Sequence, residues 1–427
     1  MPSETDPGCI LVAIRVRPPG EGCGSATGKL KVNSDAGSIS VGDDKDTNGG
    51  VKTFKFWSIF QRENNEQLFQ AVGRPAVTAV SDGFNATLLS YGQTGSGKTY
   101  SMGEIRLLGT EHEGVSHRIV REVFGRAAND TSSSYDILIQ YVQIYCEAVH
   151  DLLAEDSHHA HKSLILREDK QGGVHVQGAH QLRATTSEEA FDILRMAQAR
   201  QSFASTKMNK HSSRSHSICQ LFITRESSSS SHSTTTPSTA DGTATHIGVM
   251  ATAGHDEAME KMRAHAIAKT AGMIAKAHGS KTTRGTLTLV DLAGSEDVSR
   301  SGARGQTLAE AQKINTSLLA LGNVIHALTH KSKSSAVAHA PYRDSSLTRV
   351  LAQSLGGDCK TTVLCCCSPA DDNITETLST LRFASRAKLV QNGAKVHATI
   401  EVRSCVVGCC IPGQGMRPIS LGIYGNI

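Results

Sequence analysis

The strongest constraint on the fold of this chain is a glycine-rich segment at residues 92–99, Gly-Gln-Thr-Gly-Ser-Gly-Lys-Thr. It matches the G-x-x-x-x-G-K-[ST] pattern, in which glycines let backbone N–H groups turn toward phosphate oxygens. A short apolar run at residues 86–91 predicts a buried strand that leads directly into the loop. The segment therefore predicts a strand–loop–helix phosphate site, and a simple glycine-rich turn is the disfavoured alternative.

The last two residues of the loop assign the chemistry. Lys98 is expected to reach the β- and γ-phosphates, and the Thr99 hydroxyl is expected to ligate Mg²⁺. A predicted strand at residues 286–291 ends in Asp291, where a phosphate-loop protein needs a second metal-holding acid. Gly294 follows, and we expect its N–H to sense a γ-phosphate. The residues predicted to contact the nucleotide in this loop are Gly92, Gln93, Thr94, Gly95, Ser96, Gly97, Lys98 and Thr99. No guanine-reading N/T-K-x-D motif follows, so the sequence favours ATP over GTP.

Strand-length apolar runs alternate along the chain with helical segments. Residues 308–328 place apolar side chains at steps of three and four, which predicts a long amphipathic helix. Residues 361–367, which include three consecutive cysteines, predict a buried strand rather than a metal site. This alternation predicts a three-layer α/β P-loop NTPase fold, with a central, mostly parallel or mixed β-sheet and helices on both faces.

Three segments fall outside this pattern. Residues 225–284 are dominated by Ser, Thr, Ala, Gly and His, so we expect an insert that is mostly disordered, with a helix at 256–277 as the alternative. The Cys- and Gly-rich residues 403–427 predict a tail without regular structure. Residues 1–8 are short and polar, and we expect them to be disordered.

Charge and hydropathy exclude several kinds of partner. Lys and Arg total 44 against 40 Asp and Glu, a net charge of +4, which disfavours a generic nucleic-acid ATPase. The sequence contains no uninterrupted apolar stretch of about 18 residues, so no membrane span is expected. The cysteine placement favours a reducing, cytoplasmic setting over a disulfide framework.

Several motifs in a shared order resemble the kinesin motor domain. The nucleotide motifs are residues 91–99, Asn-Lys-His-Ser-Ser-Arg-Ser-His at 209–216 and Asp-Leu-Ala-Gly-Ser-Glu at 291–296. The supporting motifs are residues 15–18, 341–349 and 378–384. The resemblance covers residues 9–390 apart from the insert, is closest to conventional-kinesin-like members, and extends to a neck-linker-like segment at 391–402.

The resemblance implies a nucleotide site with two switches. Ser213 would join Thr99 and Asp291 around Mg²⁺, with Ser212 nearby. Arg214 and Glu296 would form the salt bridge that closes the switches; an ordinary surface ion pair is the alternative.

The resemblance also implies roles for residues around the nucleotide. Asn315 would help to place the attacking water. Arg15 and Pro18 would border the adenine, and Tyr100 would stack on it.

The resemblance further implies a microtubule-facing surface. Its expected contacts are Lys331, Lys333, Tyr342, Arg343 and Arg349. Ser346 and Thr316 stand where the family usually has lysine, which predicts a modest affinity. His158, His159 and His161 predict a solvated loop near the filament, with a metal cluster as the disfavoured alternative.

The function that the resemblance implies is a microtubule-stimulated ATPase motor that uses ATP and Mg²⁺. It would be plus-end-directed and would act in the cytoplasm on the microtubule cytoskeleton, with a cargo or stalk partner that the sequence does not identify. The alternative is a non-motile microtubule-binding or regulatory protein of the same family.

Overall fold

The computed structural model describes thirteen segments of the 427-residue chain. They are residues 8–19, 28–42, 50–61, 64–154, 163–169, 173–208, 214–228, 279–297, 306–330, 340–402, 406–411, 415–420 and 424–426. The described residues fall into two units. The larger unit contains the described residues up to 397, apart from those within 132–134 and 226–282. The smaller unit contains the described residues of these two segments and those after residue 397.

The elements alternate as the sequence predicts. The helices are α1 (Asn65–Leu68), α2 (Arg74–Ser81), α3 (Lys98–Met102), α4 (Val115–Asn129), α5 (Ser187–Met208), α6 (Gln306–Thr329), α7 (Ser346–Val350) and α8 (Ile374–Ala387). The strands are β1 (Leu11–Val16), β2 (Leu30–Asn33), β3 (Ser38–Val41), β4 (Lys52–Lys55), β5 (Ser58–Phe60), β6 (Asn85–Tyr91), β7 (Ser133–Tyr145), β8 (Ala148–Asp151), β9 (Ile165–Glu168), β10 (Val174–Gln177), β11 (Leu182–Ala184), β12 (His216–Ser228), β13 (Gly279–Asp291), β14 (Cys359–Cys367), β15 (His397–Val402), β16 (Val406–Ile411), β17 (Gly415–Ser420) and β18 (Tyr424–Asn426).

A central mixed sheet has the strand order β11-β7-β12-β13-β6-β14-β1-β5. The strands β13, β6, β14, β1 and β5 are neighbours in that order, and each pairs parallel with the next. Strand β11 pairs antiparallel with β7 at the other edge. The strands β13 and β6 end side by side, with Asp291 opposite Ser90, so the phosphate loop and the predicted acid meet at one sheet edge.

Both faces of the sheet are covered, because successive strand residues point in opposite directions. Along β6, Leu88 packs into a core with α2, α4 and α5, whereas Leu89 packs into a second core with α6, α7 and α8. The ring of Tyr91 stacks on Phe383 of α8 at a centroid distance of 3.8 Å. The predicted three-layer fold is therefore confirmed.

Some predicted elements differ in detail. Residues 54–60 alternate large apolar and polar side chains, as one half-buried strand would, but the structure has two strands there, β4 and β5. The helical segment from Asn65 to Ser81 begins with a capping box of Asn64 and Gln67, and a π-helical segment, Phe69–Gly73, separates α1 from α2. The core of the expected insert lies outside the described residues, although β12 and β13 flank it as neighbouring strands.

The expectation of a tail without regular structure was wrong for its described residues. Strands β16 and β17 pair antiparallel from Val406 opposite Ser420 to Ile411 opposite Gly415. The β-branched residues Val406, Val407 and Ile411 of β16 suit a strand, and the Gly and Cys content concealed that signal. Residues 1–7, expected to be disordered, are outside the described part of the chain.

Candidate functional site

The glycine-rich loop joins β6 to α3 in a backbone conformation that residues other than glycine rarely adopt. Gly92, Gly95 and Gly97 all have positive φ, at 146°, 75° and 99°. At Gly92 there is also no room for a side chain, since a Cβ atom would lie 2.2 Å from the carbonyl oxygen of Cys366 on β14. The glycines are thus required by the turn itself and by its close approach to the neighbouring strand.

Lys98 is held inside this loop. Its ammonium donates to the carbonyl oxygens of Gly92, at 2.8 Å, and Gln93, at 2.9 Å, and the residue is only 7% exposed. Burial lowers the pKa of Lys98, against the opposing effect of Asp291 and other nearby groups. A buried cation next to a set of loop N–H groups is an arrangement that favours a bound anion.

The two predicted metal-holding groups lie together at the edge of the sheet. The Thr99 hydroxyl donates to Asp291 Oδ2 at 2.8 Å, and the Ser90 hydroxyl donates to Asp291 Oδ1 at 2.7 Å. A hydroxyl and a carboxylate are oxygen donors of the kind that Mg²⁺ prefers, so these residues fit the ion. Ser212 and Ser213, predicted to complete this group, lie outside the described residues.

A cavity of about 910 Å³ opens beside the loop. Thr94, Gly95, Gly97, Lys98, Thr99 and Asp291 line its phosphate side. Arg17, Pro18 and Tyr100 line another part of its wall, and the base side at Pro18 and Tyr100 stays a prediction.

Arg15, which the sequence predicts to border the base, lies behind Tyr100 and not on the cavity wall. Arg15 is 8% exposed and does not line the cavity, whereas Arg17, which sequence reasoning passed over, does. The Arg15 guanidinium lies 5.2 Å from the ring centre of Tyr100 and donates to Asn65 Oδ1 and Ser101 Oγ at 2.6 and 2.8 Å. Arg15 lies within β1 and supports the wall from behind, whereas Arg17 follows the end of the strand and lines the cavity.

The predicted switch pair is not formed in this structure. Glu296 accepts hydrogen bonds from the backbone N–H of Thr94 at 2.8 Å and from its hydroxyl at 2.5 Å. Arg214 instead contacts Glu310 of α6 at 3.5 Å. Sequence motifs identify both switch residues but do not show which carboxylate Arg214 contacts, since that depends on how α6 approaches the strand.

Two other predicted residues lie close to Glu296. A Cβ atom on Gly294 would lie 2.2 Å from Glu296 Oε2, so the carboxylate covers this glycine. The Asn315 side chain donates to the backbone carbonyl of Glu296 at 3.4 Å. The structure therefore brings Thr94, Gly294, Glu296 and Asn315 together beside the phosphate loop.

His216 is a buried residue of this site to which sequence reasoning assigned no role. It accepts the Ala293 N–H at Nδ1, at 3.1 Å, and its Nε2 lies 2.8 Å from the Ser317 hydroxyl. Burial, with a smaller effect of Lys98, lowers the pKa of His216 to about 3. The neutral imidazole thus connects β12, the segment after β13 and helix α6. Its place in the motif at 209–216 was the available signal.

The predicted filament contacts are mostly engaged within the protein. The Tyr342 hydroxyl donates to the Leu355 carbonyl, and Arg349 donates to the Leu166 carbonyl at 3.1 Å. Arg343 is exposed and pairs with Glu168 at 3.0 Å. Lys331 and Lys333 lie outside the described residues, as do His158, His159 and His161.

The neck-linker-like segment lies along the start of β1. Ile10 donates to the Val390 carbonyl at 3.0 Å, and Asn392 donates from its backbone to Gly8 at 2.6 Å. The Asn392 side chain, 9% exposed, also bonds to Ser354, Gly356, Cys359 and Thr361. Asn392 is therefore a buried anchor that sequence reasoning did not identify.

Two features are absent from the described segments. Across them, no group of three His, Cys, Asp or Glu side chains is arranged to hold a metal ion. No helix in the same segments is long and apolar enough to cross a membrane.

Comparison with known proteins agrees with this geometry. The family profile described as kinesin motor domain matches residues 15–249 and 248–390. The chain belongs to the kinesin motor family. Kinesin-like protein 3 of Schizosaccharomyces pombe is 41% identical over 321 residues, which are 75% of this chain and 48% of that protein. The kinesin heavy chain of Botryotinia fuckeliana is 36% identical over 83% of this chain and 34% of its own length. This kinesin-family chain therefore spans between about a third and about half of these curated relatives.

Solved kinesin structures share the fold over almost the whole chain. A fast kinesin, studied for its ATPase mechanism and its interactions with microtubules, has a TM-score of 0.72 and 34% identity. That match covers 92% of this chain and 95% of the solved one. A KIF14 dimer with AMP-PNP, in complex with a microtubule, has a TM-score of 0.70 and 29% identity, covering 91% and 96%.

Proposed function

We propose that this chain is a microtubule-stimulated ATPase that couples Mg-ATP hydrolysis to movement along microtubules, in the plus-end direction. The observation that carries the proposal is the hydrogen bond from Thr99 to Asp291 beside the buried Lys98 of the glycine-rich loop. Membership of the kinesin family and the likeness to a solved microtubule complex support the choice of filament.

The residues of the site divide the work of phosphoryl transfer. Backbone N–H groups of the loop bind phosphate oxygens. The Lys98 ammonium, which donates to the carbonyl oxygens of Gly92 and Gln93 in this structure, donates to phosphate oxygens instead when nucleotide is bound. Thr99, Asp291 and Ser213, with Ser212 nearby, would hold Mg²⁺, which would neutralise charge on the phosphates. Pro18 and Tyr100 enclose the base, and Arg15 supports Tyr100.

Closure of the site requires Glu296 to change partners. In the present arrangement its carboxylate lies on Thr94 and over Gly294. A γ-phosphate that reaches the Gly294 N–H displaces this carboxylate by charge repulsion, and Glu296 then pairs with Arg214. Asn315, already bonded to the Glu296 backbone, places the attacking water in the closed site.

The filament surface is proposed to include α7 and the residues around it. Arg343 and Arg349 supply positive charge here, with Tyr342, Lys331 and Lys333 as further contacts. Basic side chains attract the acidic microtubule surface. We place the protein in the cytoplasm on microtubules, together with a cargo or stalk partner.

The decisive measurement is ATP turnover with and without microtubules, followed by filament gliding on immobilised protein. We expect microtubules to raise turnover and filaments to glide. In Glu296→Ala, nucleotide binding should persist while the stimulated turnover is lost; Glu188→Ala, at an exposed site on α5, is the matched control. Absence of stimulation in the wild type would refute the proposal, and stimulated turnover with static filaments would support the non-motile alternative.

A further inference from the structure

The turn between β7 and β8 has a backbone conformation that disfavours the two residues that form it, Cys146 and Glu147. Tyr145 lies opposite Ala148 in the register, so Cys146 and Glu147 form a two-residue hairpin loop. Both have positive φ, at 50° and 69°. Such a turn favours Asn-Gly, because bulkier residues are disfavoured in the left-handed region. Cys146 and Glu147 are neither Asn nor Gly, so this turn contains two residues that its backbone conformation disfavours.

The Glu147 side chain contacts the N-terminus of α7. Its Oε2 accepts the backbone N–H of Ser346 at 2.6 Å, and its Oε1 accepts the Ser345 hydroxyl at 3.1 Å. The backbone carbonyl of Glu147 accepts the Ser346 hydroxyl at 2.7 Å. A carboxylate at this end satisfies N–H groups that have no partner within the helix. Ser346 is thus engaged with the turn, at a position where the family usually has lysine.

Two arginines of the proposed filament surface lie in helix α7 or just before it. Arg349, in its last turn, donates to the Leu166 carbonyl on β9, and Arg343, just before the helix, pairs with Glu168 on the same strand. A shift of the α7 N-terminus would therefore change the positions of both arginines relative to β9.

Tyr145, at the other side of the same turn, contacts the carboxylate that holds the switch residue Arg214. Its hydroxyl hydrogen-bonds with Glu310, the carboxylate that also contacts Arg214 at 3.5 Å. Burial, then the neighbouring Cys146 and Glu310, raises the pKa of Tyr145, so the hydroxyl stays protonated and donates to the carboxylate. Arg214 and α7 are thus joined through one short turn.

We propose that Tyr145 and Glu147 are positioning residues that couple the partner choice of Arg214 to the position of α7. The inference rests on the proposed function above. When Arg214 leaves Glu310 for Glu296, Glu310 loses a cation and its contact with the Tyr145 hydroxyl strengthens. The turn moves with Tyr145, and Glu147 transmits that movement to Ser345 and Ser346. A chain of direct contacts with two arrangements at Arg214 is the physical requirement for such coupling.

The first test removes the Glu147 side chain without straining the turn. Glycine suits positive φ, so Glu147→Gly relieves the backbone while deleting the contacts to α7. We expect the KM for microtubules to rise about threefold or more, within the range seen for residues of coupling networks, with turnover in the absence of filaments essentially unchanged. A wild-type KM in this variant would overturn the inference; Glu147→Ala, which keeps the strain, serves as the comparison for turn stability.

The second test needs no filament. Amide hydrogen exchange of residues 345–351 is measured with and without a non-hydrolysable ATP analogue, in the wild type and in Tyr145→Phe. We expect the nucleotide to change the exchange rates of the wild type and to have little effect on the variant, which lacks the hydroxyl. An equal nucleotide effect in both proteins would overturn the inference. This result is informative even if microtubules fail to stimulate the wild type, a failure that would refute the proposed function alone.

Discussion

Replacement of His216 by glutamine should reduce the sensitivity of this protein to acid. The imidazole is 2% exposed, and its Nδ1 accepts the Ala293 N–H. A second ring proton would place two N–H groups against each other and bury a cation, so the folded state keeps the ring neutral. Burial accordingly lowers the pKa of His216 to about 3, from an ordinary value of 6.5.

The sign and size follow from proton linkage. Below pH 6.5 the unfolded chain binds a proton at this histidine that the folded chain does not, so acid favours unfolding. The penalty is absent above pH 6.5, grows as the pH falls and levels off near pH 3. At about pH 5 the gap is about 1.5 pH units, which corresponds to about 2 kcal/mol of unfolding free energy at 1.36 kcal/mol per unit.

Urea unfolding at about pH 7.5 and about pH 5 measures this difference directly. The wild type should lose stability by more than the His216 contribution, because burial also lowers the pKa of His117, to about 4. His216→Gln should be less stable at the higher pH, but its loss on acidification should be smaller by about 2 kcal/mol. Ser317→Ala is the matched control, since it removes one hydrogen-bond partner and leaves the titrating ring. An unchanged pH difference in His216→Gln would refute the reasoning.

Two further changes test the loop and the anchor. Gly92→Ala should abolish nucleotide binding, because its Cβ would lie 2.2 Å from the Cys366 carbonyl oxygen. The Cβ of Gly95→Ala meets no atom within 4 Å, so this variant should lose only about 1–2 kcal/mol of folding stability for its positive φ. Fluorescent-nucleotide titration and thermal unfolding separate these outcomes, and normal binding by Gly92→Ala would contradict the expectation. Asn392→Ala leaves buried partners unsatisfied and should lower the unfolding free energy by about 1–3 kcal/mol, with faster amide exchange at residues 390–397; unchanged exchange there would show that the side chain is not an anchor.

The sequence identified the chemistry of the site because phosphate binding requires particular residues at fixed spacing. The order Gly92 to Thr99 specifies a loop whose backbone closes on an anion, and Asp291 is recognisable as the acid at the end of an apolar strand. The three-layer fold was also predictable, since strand-length runs alternate with helices whose apolar residues recur along one face. These properties depend on residues close together along the chain.

The tertiary structure decided which distant groups meet. Arg15 and Arg17 belong to one sequence motif, and only the packing of Tyr100 and Ser101 against Arg15 places it behind the cavity wall while Arg17 lines the cavity. Arg214 contacts Glu310 rather than Glu296 because of the approach of α6, and Glu296 instead lies on Thr94. The roles of His216 and Asn392 depend likewise on partners that are distant in sequence.

The sequence by itself therefore determined the loop, its lysine and hydroxyl, the acid and the family. Only the fold determined the pairing of Arg214, the buried neutral state of His216 and the link from Tyr145 and Glu147 to α7. The physical reason is the range of the interactions. A phosphate loop is a local backbone conformation, whereas ion pairs, desolvation and helix capping between elements arise only when the packed sheet and helices bring remote residues within a few ångströms.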